Sequence, residues 1–116
     1  MSKERIIKTL KRFGLSDIDS RVYVFLAKKG PHELEDIALV LNQRKSNIHK
    51  SLKALLKLNV VKSSSEYPLE FMAVPFEEVI NLIIEVKKEK AKILQATKRE
   101  LLSTWGSMTE KDEEKS

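Results

Sequence analysis

Apolar residues along the chain recur at helical spacing, alternate for one short stretch, and then return to helical spacing. Ile6, Ile7, Leu10 and Phe13 predict a helix over about 3–13. Gly14 stops it, because glycine takes a left-handed backbone without strain. Ser16-Asp17-Ile18-Asp19 reads as a capping box with Asp in place of Glu. The helix behind it runs to about Lys28, with Ile18, Val22, Phe25 and Leu26 on one stripe, and Gly30-Pro31 ends it. A third helix, about 33–41, turns Leu34, Ile37, Ala38 and Leu41 inward and keeps Glu33, Glu35 and Asp36 in its first turn, where acids suit the helix dipole. Asn42-Gln43 makes the next turn, since asparagine tolerates the left-handed region nearly as well as glycine. A fourth helix, about 44–58, buries Ile48, Leu52, Leu55 and Leu56, with Asn59 as its C-cap.

Residues 60–63 and 69–74 then read as two strands around a turn at 64–68. Pro75 opens a final helix at a position where its missing amide costs nothing. That helix is expected over 76–105, about 30 residues or roughly 45 Å, with Gly106 as its stop and 106–116 as a disordered polar tail. Helix, sharp turn, helix, hairpin is the order of a winged helix-turn-helix. The expected fold is mainly α with a small β-hairpin wing: a domain over 1–75, followed by a long C-terminal helix.

Charge gives this outline a direction. The 116 residues carry a formal net charge of +5, distributed unevenly. Residues 1–75 hold 14 Lys/Arg against 8 Asp/Glu, a net of +6, while 76–116 hold 8 against 9. The first part therefore attracts a polyanion. From Arg44 to Lys62 there are six basic residues (Arg44, Lys45, Lys50, Lys53, Lys57 and Lys62) and no acid. With Ile48, Leu52 and Leu55 inward, the arc facing out is Lys45, Ser46, Asn47, His49, Lys50, Lys53 and Lys57. Its first half, Arg44 to His49, carries side chains that hydrogen-bond base edges; its second half carries lysines suited to phosphates. Lys62, Ser63, Ser64 and Ser65 form the expected wing, where hydroxyls and one cation meet phosphate oxygens. His32 stands before the acid-capped third helix, where it could touch phosphate, although a plain loop role is the simpler reading.

Other chemistry finds no footing. Cysteine is absent, which excludes disulfides and zinc-thiolate sites. Two distant histidines make a metal site improbable, and no nucleophile–base set, glycine-rich phosphate loop or spaced carboxylate pair occurs; neither an enzyme nor a cofactor is expected. The N-terminus lacks a signal-peptide pattern and no apolar run approaches membrane length, so a cytoplasmic protein is expected.

In the last helix, Phe76, Val79, Ile80, Ile83 and Val86 form a stripe that Lys87-Lys88-Glu89-Lys90 interrupts and Ile93, Leu94, Leu101 and Trp105 resume. A helix this long is not held by propensity alone. The apolar positions Val79, Ile80, Ile83, Val86, Ile93, Leu94, Leu101 and Trp105 are expected to pair with the same helix of a second copy. The competing arrangement folds the helix back over the first one.

Spaced motifs run through this outline: Gly14-Leu15-Ser16, Arg21-Val22-Tyr23, Gly30-Pro31, Asp36-Ile37-Ala38, Arg44-Lys45-Ser46, Leu52-Lys53-Ala54-Leu55, Val60-Val61-Lys62 and Ala73-Val74-Pro75. Together they resemble the winged-helix domain of the archaeal TrmB-like transcriptional regulators, over about 14–80. The resemblance implies a dimeric, sequence-specific regulator binding double-stranded DNA in an archaeal cytoplasm, with contacts on Arg44, Lys45, Ser46, Asn47, His49 and Lys50. Asn42 and Asn59 depart from the family's usual glycines, and His49 from its frequent tyrosine. Sugar-sensing members carry a further ligand-binding domain, so the resemblance brings no expectation of sugar binding here, and no effector is named. The alternative is a winged helix used as a protein-interaction module in a transcription or chromosome complex.

Overall fold

Capping chemistry sets where the helices begin and end. The computed structural model describes residues 2–115, and side chains over 3–109. Helix α1 spans Ser2–Phe13, α2 Asp17–Lys29, α3 Leu34–Val40, α4 Lys45–Lys57 and α5 Phe76–Lys115; the strands are β1, Val61–Ser63, and β2, Phe71–Ala73. Ser16 caps α2 through its hydroxyl, which accepts from the Asp19 amide at 3.1 Å, while the Asp19 carboxylate accepts from the Ser16 amide at 3.3 Å. The expected capping box is therefore present.

Helices α1, α3 and α4 share one ending. The residue after each C-cap lies in positive-φ backbone: Gly14 at 115°, Asn42 at 53° and Asn59 at 63°. The following amide then reaches back five residues, Leu15 to Leu10 O at 3.2 Å, Gln43 to Ala38 O at 2.9 Å and Val60 to Leu55 O at 3.2 Å. These bonds satisfy carbonyls that a helix end otherwise leaves without partners. Asparagine thus does the work of glycine at two of the three sites, as its tolerance of that region allows.

By packing, the chain divides at Ile80/Asn81. In the first unit α2 packs on α1, α4 and β2, while α3 packs on α4 in a helix-turn-helix. Leu10, Val22, Leu26, Ile37, Ile48, Leu55 and Val79 lose essentially all exposure. Burying each is worth roughly 1.5–3 kcal/mol before entropy is counted. Strands β1 and β2 pair antiparallel with Val61 opposite Ala73 and Ser63 opposite Phe71. His32 adds an isolated bridge on the other edge of β2, exchanging both backbone hydrogen bonds with Phe71 at 3.1 and 2.8 Å. Mostly helical, with one hairpin behind a helix-turn-helix, this is a winged helix followed by a long C-terminal helix.

Three details differ from the sequence pattern. The inward face of α4 is Ile48, Ser51, Leu52 and Leu55, with Leu56 only half-buried. Both strands are three residues long, shorter than the alternating segments. Helix α5 passes through Gly106 instead of ending there, and continues to Lys115. A single interior glycine costs only about 1 kcal/mol and removes no hydrogen bond. No proline follows, and the Thr109 hydroxyl donates back to Trp105 O and Gly106 O at 3.1 and 3.0 Å. The segment expected to be a disordered tail is thus helix through Lys115; Ser116 lies outside the described residues.

Candidate nucleic-acid interface

Helix α4 follows the left-handed Asn42 and begins after Arg44, whose extended backbone (φ −70°, ψ 144°) makes it the N-cap. Arg44 gives no side-chain cap to the first amides, and the first turn holds no acid. In α2 the same positions are filled by a full capping box. An uncapped helix start flanked by Arg44 and Lys45 presents free amide donors and positive charge in one direction, an arrangement suited to anions.

The rotation of α4 is fixed from beneath. Ile48, Leu52 and Leu55 fill the core, and the buried Ser51 hydroxyl donates to Asp19 Oδ1 at 2.6 Å. Lys45, Ser46, Asn47, His49, Lys50, Lys53 and Lys57 are all exposed on the outer arc, and Arg44 is exposed at its start. Among the described residues the ion pairs are Lys11–Asp17 at 3.5 Å and Lys88–Glu85 at 3.9 Å. Neither involves a cation of α4 or the wing, so this charge is not neutralised internally. Asn47 and Lys50 also line a shallow groove with Ser16, Asp19 and Ala54, between α4 and the start of α2.

The wing carries Lys62 and Ser65 in exposed positions. Ser64 is half-buried and makes local hydrogen bonds. Its hydroxyl donates to Glu66 O at 3.1 Å and accepts from the Glu70 amide at 2.9 Å, while its own amide donates to Glu70 O at 2.8 Å. Its hydroxyl thus helps to close the turn of the wing. Tyr67, exposed in the same turn, escaped the sequence reading because one aromatic beside a proline has no periodicity to mark it.

His32 is likewise structural. Its backbone pairs with Phe71, its Nδ1 lies 2.8 Å from Gly30 O, and its ring packs against Phe25 with centroids 4.9 Å apart. Among the described residues, no three His, Asp or Glu cluster as a metal would need. No helix among them is long and apolar enough to cross a membrane.

The residues expected to pair α5 with a second copy fall into two groups. Within the first unit Val79 is buried and Ile80 half-buried. Apolar surface already withdrawn from water is not on offer to another copy, so Val79 serves the core of the first unit. Val86, Ile93, Leu94, Leu101 and Trp105 are exposed, Trp105 at 64% and Leu101 at 53%. Leu102 and Met108, absent from the expected set, are exposed beside them.

The model of the family described as sugar-specific transcriptional regulator TrmB matches residues 10–77. The chain belongs to the TrmB family. The matched span takes in α2, α3, α4 and both strands, so it contains the basic helix and the wing. An uncharacterized protein of Methanocaldococcus jannaschii, MJ1503, is 29% identical over 83 residues, covering 66% of this chain and 63% of that one. The chain thus spans a little under two thirds of that relative's length. Among solved structures, TrmBL2, described as an archaeal chromatin protein with a novel mode of DNA binding, superposes with a TM-score of 0.80 at 22% identity, over 89% of this chain and 40% of that one. A possible transcriptional regulator from Methanosarcina mazei Go1 superposes with a TM-score of 0.67 at 16% identity, over 84% and 86% of the two chains. At these identities the structural likenesses establish the fold. Membership of the TrmB family adds that the chain belongs among transcriptional regulators.

Proposed function

We propose that this TrmB-family chain is a sequence-specific regulator of transcription that binds double-stranded DNA as a dimer in the cytoplasm, with residues 1–75 as the DNA-binding part. Helix α4 enters the major groove, and the β1–β2 wing lies along the backbone. Arg44, Asn47 and His49 approach base edges, with Ser46 beside them; Lys45, Lys50, Lys53, Lys57 and Lys62 hold phosphates. The observation that carries this reading is the outer face of α4: exposed, free of acids, and without a carboxylate partner among the described residues. Two copies joined through the exposed apolar residues of α5 would present two such helices to a two-fold-symmetric operator. Residues 76–105 are the dimerising part on this reading.

A second reading is favoured by the likeness to TrmBL2, described as a chromatin protein. In that case the chain coats DNA with little regard for sequence. Fluorescence anisotropy with random duplex DNA across a salt series, using wild type and Lys50→Ala/Lys53→Ala, tests DNA binding itself. Binding that falls steeply with salt and collapses in the variant supports the α4 interface; no binding at low salt defeats it. A selected operator that binds no better than random sequence favours the chromatin-like reading.

A further inference from the structure

We propose that the face of α2 turned away from α4 is a docking surface for a partner polypeptide carrying acidic residues around an apolar anchor. Lys3, Arg21, Lys28 and Lys29 border a concavity of about 300 Å³. Val24, Phe25 and Val40 supply its apolar lining, and no acid lines it. Among the described residues none of the four cations lies within 4.0 Å of a carboxylate.

This is a different surface from α4. At about 100° per residue, Arg21, Val24, Phe25 and Lys28 sit roughly 120–180° around the helix from Asp19, the α2 residue that holds α4 through Ser51. On the rim itself Val40 is 60% exposed. Over 3–80 the large apolar or aromatic side chains left exposed are Leu39, Val40 and Tyr67, and Val40 lines this concavity.

The chemistry selects the occupant. A small ligand is usually some 70–90% enclosed by its site, and a rim this exposed does not enclose one. A DNA backbone gains nothing from Val24, Phe25 and Val40. A polypeptide segment uses both features: its Leu or Phe covers the apolar floor, while flanking carboxylates meet the unpaired cations and steer the encounter.

The test uses the full chain, labelled with nitrogen-15, and a synthetic peptide in which Asp and Glu flank one Phe and two Leu. Amide shifts should concentrate at Arg21, Val24, Phe25 and Val40, and should persist when duplex DNA is bound. Arg21→Glu/Lys28→Glu should weaken the peptide about tenfold or more while leaving the salt slope of DNA binding unchanged. Shifts confined to α4, displacement of the peptide by duplex DNA, or equal affinity for a peptide with Ser in place of Phe and Leu would each overturn the proposal. Because the peptide and DNA readouts are separate, loss of one leaves the other reading standing.

Discussion

The hydroxyl of Ser51 donates to Asp19 Oδ1 at 2.6 Å across 32 residues of sequence, joining the inner face of α4 to the first turn of α2. The same carboxylate accepts from the Ser16 amide through Oδ2 at 3.3 Å. One side chain therefore caps one helix and orients the next. Asp19→Ala should destabilise the chain by about 2–3 kcal/mol, combining a lost cap with a buried hydroxyl left without its acceptor. Ser51→Ala should cost about 1 kcal/mol. Denaturant unfolding of both single variants and the double variant measures the coupling; strictly additive losses would show that the two residues act independently.

Tyr23 is 1% exposed, and its hydroxyl donates to Val74 O at 2.6 Å. Burial pushes its phenol from 10.0 up to about 12. The neutral, protonated form is the one the fold favours, so its contribution is complete below the unfolded value and is lost as pH rises from about 10 to about 12. Tyr23→Phe, which removes the titrating group, should cost about 1–3 kcal/mol at neutral pH through the orphaned carbonyl. It should also flatten the fall in stability across that alkaline window. A variant whose alkaline stability curve parallels wild type would contradict this account.

On the outer face of α4, Lys53→Ala should weaken binding to every sequence and lower the slope of log affinity against log salt by about one. Asn47→Ala should instead relax discrimination at one base pair, by about 1–3 kcal/mol. Anisotropy with an operator and a random duplex separates the two effects, and identical losses on both duplexes for both variants would end the division of roles.

Asn42 and Asn59 hold φ of 53° and 63° at the ends of α3 and α4. Replacement by Ala should cost about 1 kcal/mol at either site, because a β-carbon without the asparagine amide is poorly tolerated there. Replacement by Gly should hold or raise stability, by up to roughly 1 kcal/mol. Thermal melting of these four variants gives the order; Ala matching Gly would disprove the backbone explanation.

Leu101 and Trp105 are exposed one turn apart on α5. Sedimentation of wild type should show a dimer, and Leu101→Glu should shift it to monomer, since a charge at a buried interface costs several kcal/mol. The emission of Trp105 should move to longer wavelength on dilution. A wild type that sediments as a monomer at all concentrations would rule out pairing through this face.

Much of this architecture was legible because periodicity reports apolar positions and caps report helix ends. The stops at Gly14, Asn42 and Asn59 and the Ser16–Asp19 box all follow from local chemistry, which a single sequence displays. What stayed hidden depends on distant partners. Nothing around Ser51 in the sequence announces that the Asp19 carboxylate accepts from its hydroxyl. Tyr23 fell outside the expected stripe because its role is defined by Val74, 51 residues away. The local partners of Ser64 in Glu66 and Glu70, and of His32 in Phe71, likewise leave no mark in the sequence pattern. Gly106 was given too much weight as a stop, in a context where no other signal agreed.

The bridge between His32 and Phe71 has a mechanical consequence. Strand β2 is hydrogen-bonded on one side to β1 and on the other to the loop that leads into α3. The base of the hairpin is therefore tied to the loop before α3, and on the proposed binding mode wing and α4 act as a calliper of fixed opening. DNA whose grooves do not match that opening must itself bend or change width, at a cost set by its own stacking. On this account base pairs that the protein never touches help to decide where it settles.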